Sequence, residues 1–375
     1  MLDTAIIGGG LCGLMLARGL QQQGQQFALF EARERLGGRI LSAPAADGRM
    51  AHDLGPTWYW PHNQPRMTQL IATLGLVSFP QYDSGTVLSL TDPARAPDRY
   101  ENKQVHDDAR RLAGGMASLV QALAAGLPTS ALHLRHTLVA LIERSGHVEL
   151  HFRDGSAPVA ARRVLLALPP RLLEQHVRFE PALDASLRDT MRATPTWMAA
   201  QAKVVATYQR PFWREAGLSG SAFADHSQVV LHEVFDACDA HADQAALGAF
   251  IALSPAQRAT FQAGLPLLIG SQLAQLFGAE ADNGAQHMQD WAEQADTCSA
   301  LDRSSPDAGD AAGDSSALRQ PCWHDKLYFC GAETARHAPG YMEGALEASE
   351  RIFQLPAFQP PTGHTSEAEI KRSSA

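Results

Sequence analysis

Thr4-Ala5-Ile6-Ile7-Gly8-Gly9-Gly10-Leu11-Cys12-Gly13 is the stretch from which the fold can be read. An apolar run that ends in Gly-x-Gly-x-x-Gly predicts a strand, a tight turn and the start of a helix. Gly8 allows the turn, Gly10 lets the backbone approach a pyrophosphate, and Gly13 lets the helix sit close on the sheet. Free N–H groups in the first helical turn would receive the phosphates. A helix is expected over Leu14 to Gln22, closed by Gly24. A second strand, Phe27-Ala28-Leu29-Phe30, then delivers Glu31 to a ribose hydroxyl pair, 18 residues after Gly13. Glycine-rich turns are common, but a strand, helix, strand and acid in this order form a βαβ nucleotide unit. These elements leave NAD and FAD both open. Gly37-Gly38-Arg39 begins to decide between them, because a second glycine pair ending in a fixed cation suits a longer dinucleotide.

The bulk composition excludes several classes. A chain of 375 residues with 45% hydrophobic and 19% charged residues has room for two domains and a substantial core. Its net charge of −9 and the absence of any basic run beyond Arg110-Arg111 and Arg162-Arg163 give no electrostatic footprint for nucleic acid. No apolar run reaches the roughly 18 residues of a membrane span, and no charged leader precedes the first strand. A cytoplasmic protein with no membrane partner is therefore expected. Five scattered cysteines without a CxxC pair indicate neither a disulfide framework nor a zinc site.

Farther along, Asp53-Leu54-Gly55-Pro56-Thr57-Trp58-Tyr59-Trp60-Pro61 reads as an aromatic loop whose rings either line a cavity or pack between the domains. A helix follows from about Gln64 to Leu74, ended by Gly75. Strands are expected at Leu132 to Leu134, Leu138 to Ile142, His147 to Phe152 and Val164 to Leu168, the last continuous and apolar like a buried parallel strand. Ser254-Pro255-Ala256-Gln257 marks a helix start, with a capping residue, a first-turn proline and a glutamine at N3. The fold class expected is α/β: a discontinuous Rossmann-like domain (1–75, about 130–180 and 318–355) with a mixed α+β substrate domain (about 76–129 and 181–300). Residues 302–317 read as a mobile loop and 356–375 as a disordered tail.

Four segments, residues 4–41, 53–76, Lys203 through Pro211-Phe212-Trp213-Arg214, and 318–352, resemble in sequence and order the flavin-containing amine oxidase family, which includes monoamine and polyamine oxidases. The resemblance implies FAD, with Gly8, Gly10, Gly13, Glu31, Arg33, Gly38 and Arg39 at its nucleotide half and Gly55, Pro56, Thr57 and Trp58 beside the flavin. It further implies contacts from Leu138, Gly331, Glu333, Gly340, Tyr341 and Met342. A helix starting near Met342 would aim its positive end at the flavin where charge accumulates on reduction. Lys203 and Tyr341 are the expected catalytic residues. The chain has four lysines against 27 arginines, yet one stands in the middle of the apolar strand Ala202-Lys203-Val204-Val205-Ala206. A compact ammonium whose pKa falls on burial suits a place beside flavin N5, and in the family a lysine there is linked to reoxidation by dioxygen.

The chain departs from the family in the segment that should supply an aromatic partner for Tyr341. Residues 291–301 hold no tyrosine or phenylalanine after Trp291, so half of the expected aromatic cage is missing. Cys298 lies two residues out of register with the cysteine that bonds the flavin in the monoamine oxidases, so non-covalent FAD is expected. The membrane helix of the mitochondrial members is missing too, which fits a soluble, bacterial-type protein. His52 and His337 are expected to be structural, and no proton-transfer residue is nominated. The activity implied is hydride transfer from a small amine to FAD, with dioxygen as acceptor and hydrogen peroxide as product. The alternatives are dehydrogenation of a C–C bond, as in protoporphyrinogen oxidase and the carotenoid desaturases, and a flavin-binding partner protein without turnover.

Overall fold

The computed structural model describes residues 1–44, 50–101, 104–305 and 315–359. Its first sheet is built around Leu2–Ile7, in which every side chain from Thr4 to Ile7 is buried. That strand pairs in parallel with Phe27–Phe30 on one side and Val159–Leu166 on the other. Enclosure on both faces explains its unbroken apolar run. Across the sheet the order is Arg178–Glu180, Leu138–Glu143, Val148–Phe152, Val159–Leu166, Leu2–Ile7, Phe27–Phe30 and Leu132–His133. Leu327–Phe329 joins it in parallel against the second half of Val159–Leu166, so the chain returns to this domain after leaving it.

Helix Leu11–Gln22 covers one face of the sheet together with Met342–Gln354 and Ala117–Ala125, burying Leu14, Leu16, Leu20, Leu119, Leu123 and Ile352. Each such side chain contributes roughly 1.5–3 kcal/mol on leaving water. The first and last helices approach closely because Gly19 carries no side chain; a Cβ there would lie 2.2 Å from Phe353 Cζ. On the other face Phe152, Leu173, Leu187 and Met191 form a second core.

The second sheet has seven strands in the order Ala285–Asp290, Ala202–Tyr208, Ala245–Ile251, Leu231–Asp236, Leu218–Ala224, Thr86–Leu90 and Asp98–Glu101. Strand alternation divides Ala202–Tyr208 between two environments. Val204 and Ala206 pack under helix Leu265–Phe277, whereas Val205 and Phe235, each paired with Gly248, cluster with Ala43 and Leu54. The helix Pro255–Phe261 opens with both hydrogen bonds of the Ser254/Gln257 capping box.

The elements differ from the sequence reading in four places. The first helix begins at Leu11, directly after Gly10. Helices Ala117–Ala125 and Ala185–Ala193 bury their apolar faces in the cores of the first sheet, so boundaries at 129 and 181 cut through that domain's packing. Order continues past residue 356, where a 3-10 turn at Pro356–Phe358 packs Phe358 wholly inside, 5.3 Å from the Tyr328 ring; residues 360–375 lie outside the described residues. Asp302 is buried in helix Ala300–Ser304, where it caps with Ser299 and pairs with Arg171 at 2.6 Å. Of the segment expected to be a mobile loop, 306–314 lie outside the described residues. No helix among the described residues is long and apolar enough to cross a membrane.

Candidate active site

Where the first strand ends, Gly8 takes φ +104° and its N–H donates to the Phe30 carbonyl at 2.8 Å. Helix Leu11–Gln22 presses directly on this turn: a Cβ at Gly13 would sit 1.9 Å from the Gly8 oxygen. Gly10 occupies the N-cap without a side-chain cap, which leaves first-turn N–H groups available for an anion. The second glycine turn crosses the first. Gly37 N donates to Gly9 O at 2.8 Å, and a Cβ on Gly38 would approach Gly10 Cα to 3.3 Å. Glu31 is held at the strand tip, its Oε2 accepting from Gly9 N at 2.7 Å and its Oε1 from Arg33 N at 3.0 Å. Arg33 reaches across to Thr297 Oγ1 at 2.6 Å.

These residues form one end of a cavity of about 940 Å³, whose lining includes Gly8, Gly10, Glu31, Arg33, Gly38, Arg39, Gly55, Pro56, Thr57, Trp58, Lys203, Glu333, Gly340, Tyr341 and Met342. The volume lies at the upper end of the range of small-molecule sites. Arg39 bridges the cavity wall, with Nη2 on Glu333 Oε1 at 2.5 Å and Nη1 donating to the Trp197 carbonyl at 3.0 Å. Gly331 has no room for a side chain, since a Cβ would meet the Leu168 carbonyl at 2.4 Å. A second helix N-terminus opens on the same space: Tyr341 is the N-cap of Met342–Gln354 and makes no side-chain cap bond. Leu138 is placed elsewhere. It is buried in the core with Ala28, Phe30 and Phe152 and is not part of the cavity lining.

Lys203 projects from a strand paired on both sides, and the residue is 2% exposed. Its Nζ donates to the Gly55 carbonyl at 2.9 Å and to Thr57 Oγ1. The rings of Phe235, Phe250 and Trp58 surround the ammonium at 5.2, 5.3 and 5.9 Å. Burial drives its pKa down to about 7, with Asp53 partly opposing the shift. Trp58 and Trp60 line the cavity, whereas Tyr59 between them is buried in the first core. His52 is buried, and burial pushes its pKa down to about 4. His337 is exposed on Glu347. Neither histidine lines the cavity.

Several lining residues were not singled out from sequence. Trp197 stacks on Tyr341 with ring centroids 5.1 Å apart and 26° between planes. The aromatic facing Tyr341 thus comes from the turn before Ala202–Tyr208 and not from 291–301, where Trp291 instead donates to the Leu54 carbonyl at 3.0 Å. His232, Glu233 and Phe250 on the second sheet, with His106 from the turn at 105–108, complete that wall. Cys298 is buried in a small cluster with Ala199, Ala200 and Ala292, outside the lining.

Two crossed glycine turns, a carboxylate at the strand tip and two helix N-termini facing one cavity define a dinucleotide-binding oxidoreductase architecture. The family model described as flavin containing amine oxidoreductase matches residues 78–352, and that of an NAD(P)-binding Rossmann-like domain matches residues 6–74. The chain belongs to the flavin-containing amine oxidoreductase family. Amine oxidase [flavin-containing] B of Homo sapiens is 29% identical over 195 residues, 51% of this chain and 36% of that protein, so the match spans about a third of that relative's length. Putrescine oxidase of Kocuria rosea is 25% identical, over 74% of this chain and 79% of that protein. Among solved structures, putrescine oxidase bound to putrescine superposes with a TM-score of 0.76 at 20% identity, covering 94% of this chain and 98% of that one. Cyclohexylamine oxidase from Brevibacterium oxydans gives 0.73 at 19% identity, covering 93% and 97%. At these identities the structural likeness speaks for the fold.

Proposed function

We propose that this chain is a FAD-dependent oxidoreductase that converts the C–N bond of a small amine to an imine, with dioxygen reduced to hydrogen peroxide. The residues present fit the cofactor: a Cβ at Gly10 or Gly38 would fill the space where the two glycine turns meet, and the buried Oε2 of Glu333 has no hydrogen-bond partner among the described residues. Gly8, Gly10, Glu31, Arg33 and Arg39 would hold its nucleotide half, and Gly55 to Trp58 with Gly340 to Met342 would hold its ring. Bound there, FAD would supply a two-electron acceptor for the hydride of the amine carbon and a two-electron donor to dioxygen; the hydrogen lost from carbon and the proton lost from nitrogen are the two that leave in hydrogen peroxide.

Every other contribution comes from the chain. The N-terminus of Met342–Gln354 stabilises negative charge at the ring end of the cavity. Trp58, Phe250 and Tyr341 exclude water around the amine. Lys203 carries the reading: with a pKa near 7, its Nζ can hold or release a proton at neutral pH beside Gly55 and Thr57. Non-covalent attachment is supported by Cys298, which lies off the lining and whose thiol burial pushes up to about 11, far from a reactive thiolate. One observation favours oxidation of a C–C bond instead: the Trp197–Tyr341 stack presents a closed pair of rings to the substrate.

The test is to mix the yellow holoprotein anaerobically with a panel of amines and then admit air. Bleaching followed by rapid recovery is expected. Bleaching without recovery would mark a dehydrogenase, and no bleaching with any amine would remove the amine reading.

A further inference from the structure

Lys203 Nζ bonds the Gly55 carbonyl and Thr57 Oγ1, neither of which carries a charge. The strands paired with its own, Ala245–Ile251 and Ala285–Asp290, set Phe250 and Gln289 opposite it and add none. Three charged groups face it from other elements: Asp53 at the end of Met50–Asp53, Arg111 in Arg110–Leu112 and Glu233 in Leu231–Asp236. Glu233 has a cation of its own, since His106 Nε2 lies 3.6 Å from its Oε1. Burial lowers the pKa of that imidazole, but Asp83 and Glu233 outweigh it and raise the value to about 9. Arg111 is buried and directs its guanidinium at the carbonyls of Asp236, Ala237 and Cys238, at 3.3, 3.0 and 2.7 Å.

Asp53 is the remaining acid, and it is buried behind the cavity wall. Its Oδ1 accepts from Ser42 Oγ at 2.5 Å and from the Met116 N–H at 2.8 Å, while Oδ2 has no hydrogen-bond partner among the described residues. Holding the Met116 turn needs only an oxygen, which asparagine would supply without a charge. A buried carboxylate with one bare oxygen stays ionised only beside positive charge. Two residues of chain separate Asp53 from the Gly55 carbonyl that Lys203 holds, which puts the two charges on the order of 10 Å apart. Burial pushes the pKa of Asp53 up, and Ser42, Lys203 and Arg111 draw it back.

The buried charges around the ammonium balance without it. Asp236 is matched by Arg214 at 2.7 and 2.8 Å, and Asp53 offsets Arg111. With Asp53 neutral, a proton on Nζ would face the Arg111 cation unopposed from that side.

We propose that Asp53 is a positioning residue that keeps the proton on Lys203 Nζ and thereby sets the pH range over which dioxygen reoxidises the flavin. The ammonium presents positive charge where dioxygen gains negative charge, and the neutral amine does not. This rests on the place given to Lys203 in the oxidase reading above.

The holoprotein is reduced photochemically, so that no amine is needed, and is mixed with oxygenated buffer from about pH 5 to 9.5. The wild-type rate is expected to be level below about pH 7 and to fall about tenfold per pH unit above it. Asp53→Asn keeps an oxygen for Ser42 and Met116, and its descending limb should lie about one pH unit lower, the effect of one charge about 10 Å away at an effective dielectric constant near 20. Its rate at about pH 8 then falls about tenfold, while the rate at about pH 5 is kept. A purely structural role would slow the variant at every pH and leave the limb in place; that result, or a level wild-type profile, overturns the proposal. If Asp53→Asn does not retain flavin, the wild-type limb still decides. A buried pair is unscreened, so the limb should hold within about 0.2 pH unit between about 0.05 and 0.5 M salt, and a limb that moves with salt would place the controlling charge at the surface. A flavin that no amine reduces but that reoxidises with this profile removes the amine reading and leaves Asp53 in its role.

Discussion

The two walls of the cavity are made differently. The glycine cradle is built from backbone: a turn at Gly8, a helix pressed on it at Gly13, a second turn hydrogen-bonded to the first, and a carboxylate accepting two main-chain N–H groups. All of it lies within 39 consecutive residues. The opposite wall is built from side chains on Trp58, His106, Lys203, Glu233 and Phe250, brought together only by a seven-stranded sheet and its neighbouring loops. Backbone geometry admits few residue types, whereas a side-chain wall can be remade by single substitutions without losing the fold. The cofactor is therefore written locally, and the substrate is written across the whole chain.

The largest effect expected from this contrast is in the cradle. In Gly13→Ala the new methyl would lie 1.9 Å from the Gly8 oxygen, so helix and turn must part, at about 1–3 kcal/mol or more. Purified Gly13→Ala should carry almost no flavin and unfold at lower denaturant; full flavin content with wild-type stability would mean that the cradle tolerates a side chain.

On the opposite wall, Lys203→Met should keep the flavin and change how stability depends on pH. The folded pKa of about 7 lies below the ordinary 10.5, so between these values the unfolded chain binds more protons and wild-type stability rises with pH, by up to about 1.4 kcal/mol per unit. Below pH 7 the buried ammonium carries its full desolvation cost. The methionine variant lacks this slope, so its thermal midpoint relative to wild type should be highest below pH 7 and decline toward pH 10.5. Parallel curves for the two proteins would place the ammonium in solvent.

The smallest effect belongs to Cys298→Ser. It should leave flavin content unchanged and lower stability by about 1 kcal/mol. Acid precipitation of the wild-type protein should release the yellow colour into the supernatant, and colour kept in the pellet and lost from it in Cys298→Ser would establish a thioether.

What could be read in the sequence follows the same division. The βαβ unit and the Ser254 helix start both rest on local signals. Lys203 was legible because one charged residue interrupts an apolar strand. Trp197 was not: it sits in a turn 144 residues before the ring it stacks on, and no periodicity links the two. Glu233 was hidden by the register shift at 231–233, because strict alternation would bring either His232 or Glu233 to the cavity but not both. Leu138 shows the converse. Its strand was placed correctly, but a strand position does not reveal whether a side chain faces a core or a cavity.

Lys203 stands on the side-chain wall against Gly55 and Thr57, and the most direct test is double-mixing stopped flow on Lys203→Met. The flavin is first reduced anaerobically by an amine that bleaches the wild-type protein, and is then mixed with oxygenated buffer. Reoxidation should slow by about a hundredfold, a loss typical of removing one preorganised electrostatic group, while reduction changes much less. Equal slowing of both half-reactions would contradict the place given to this lysine.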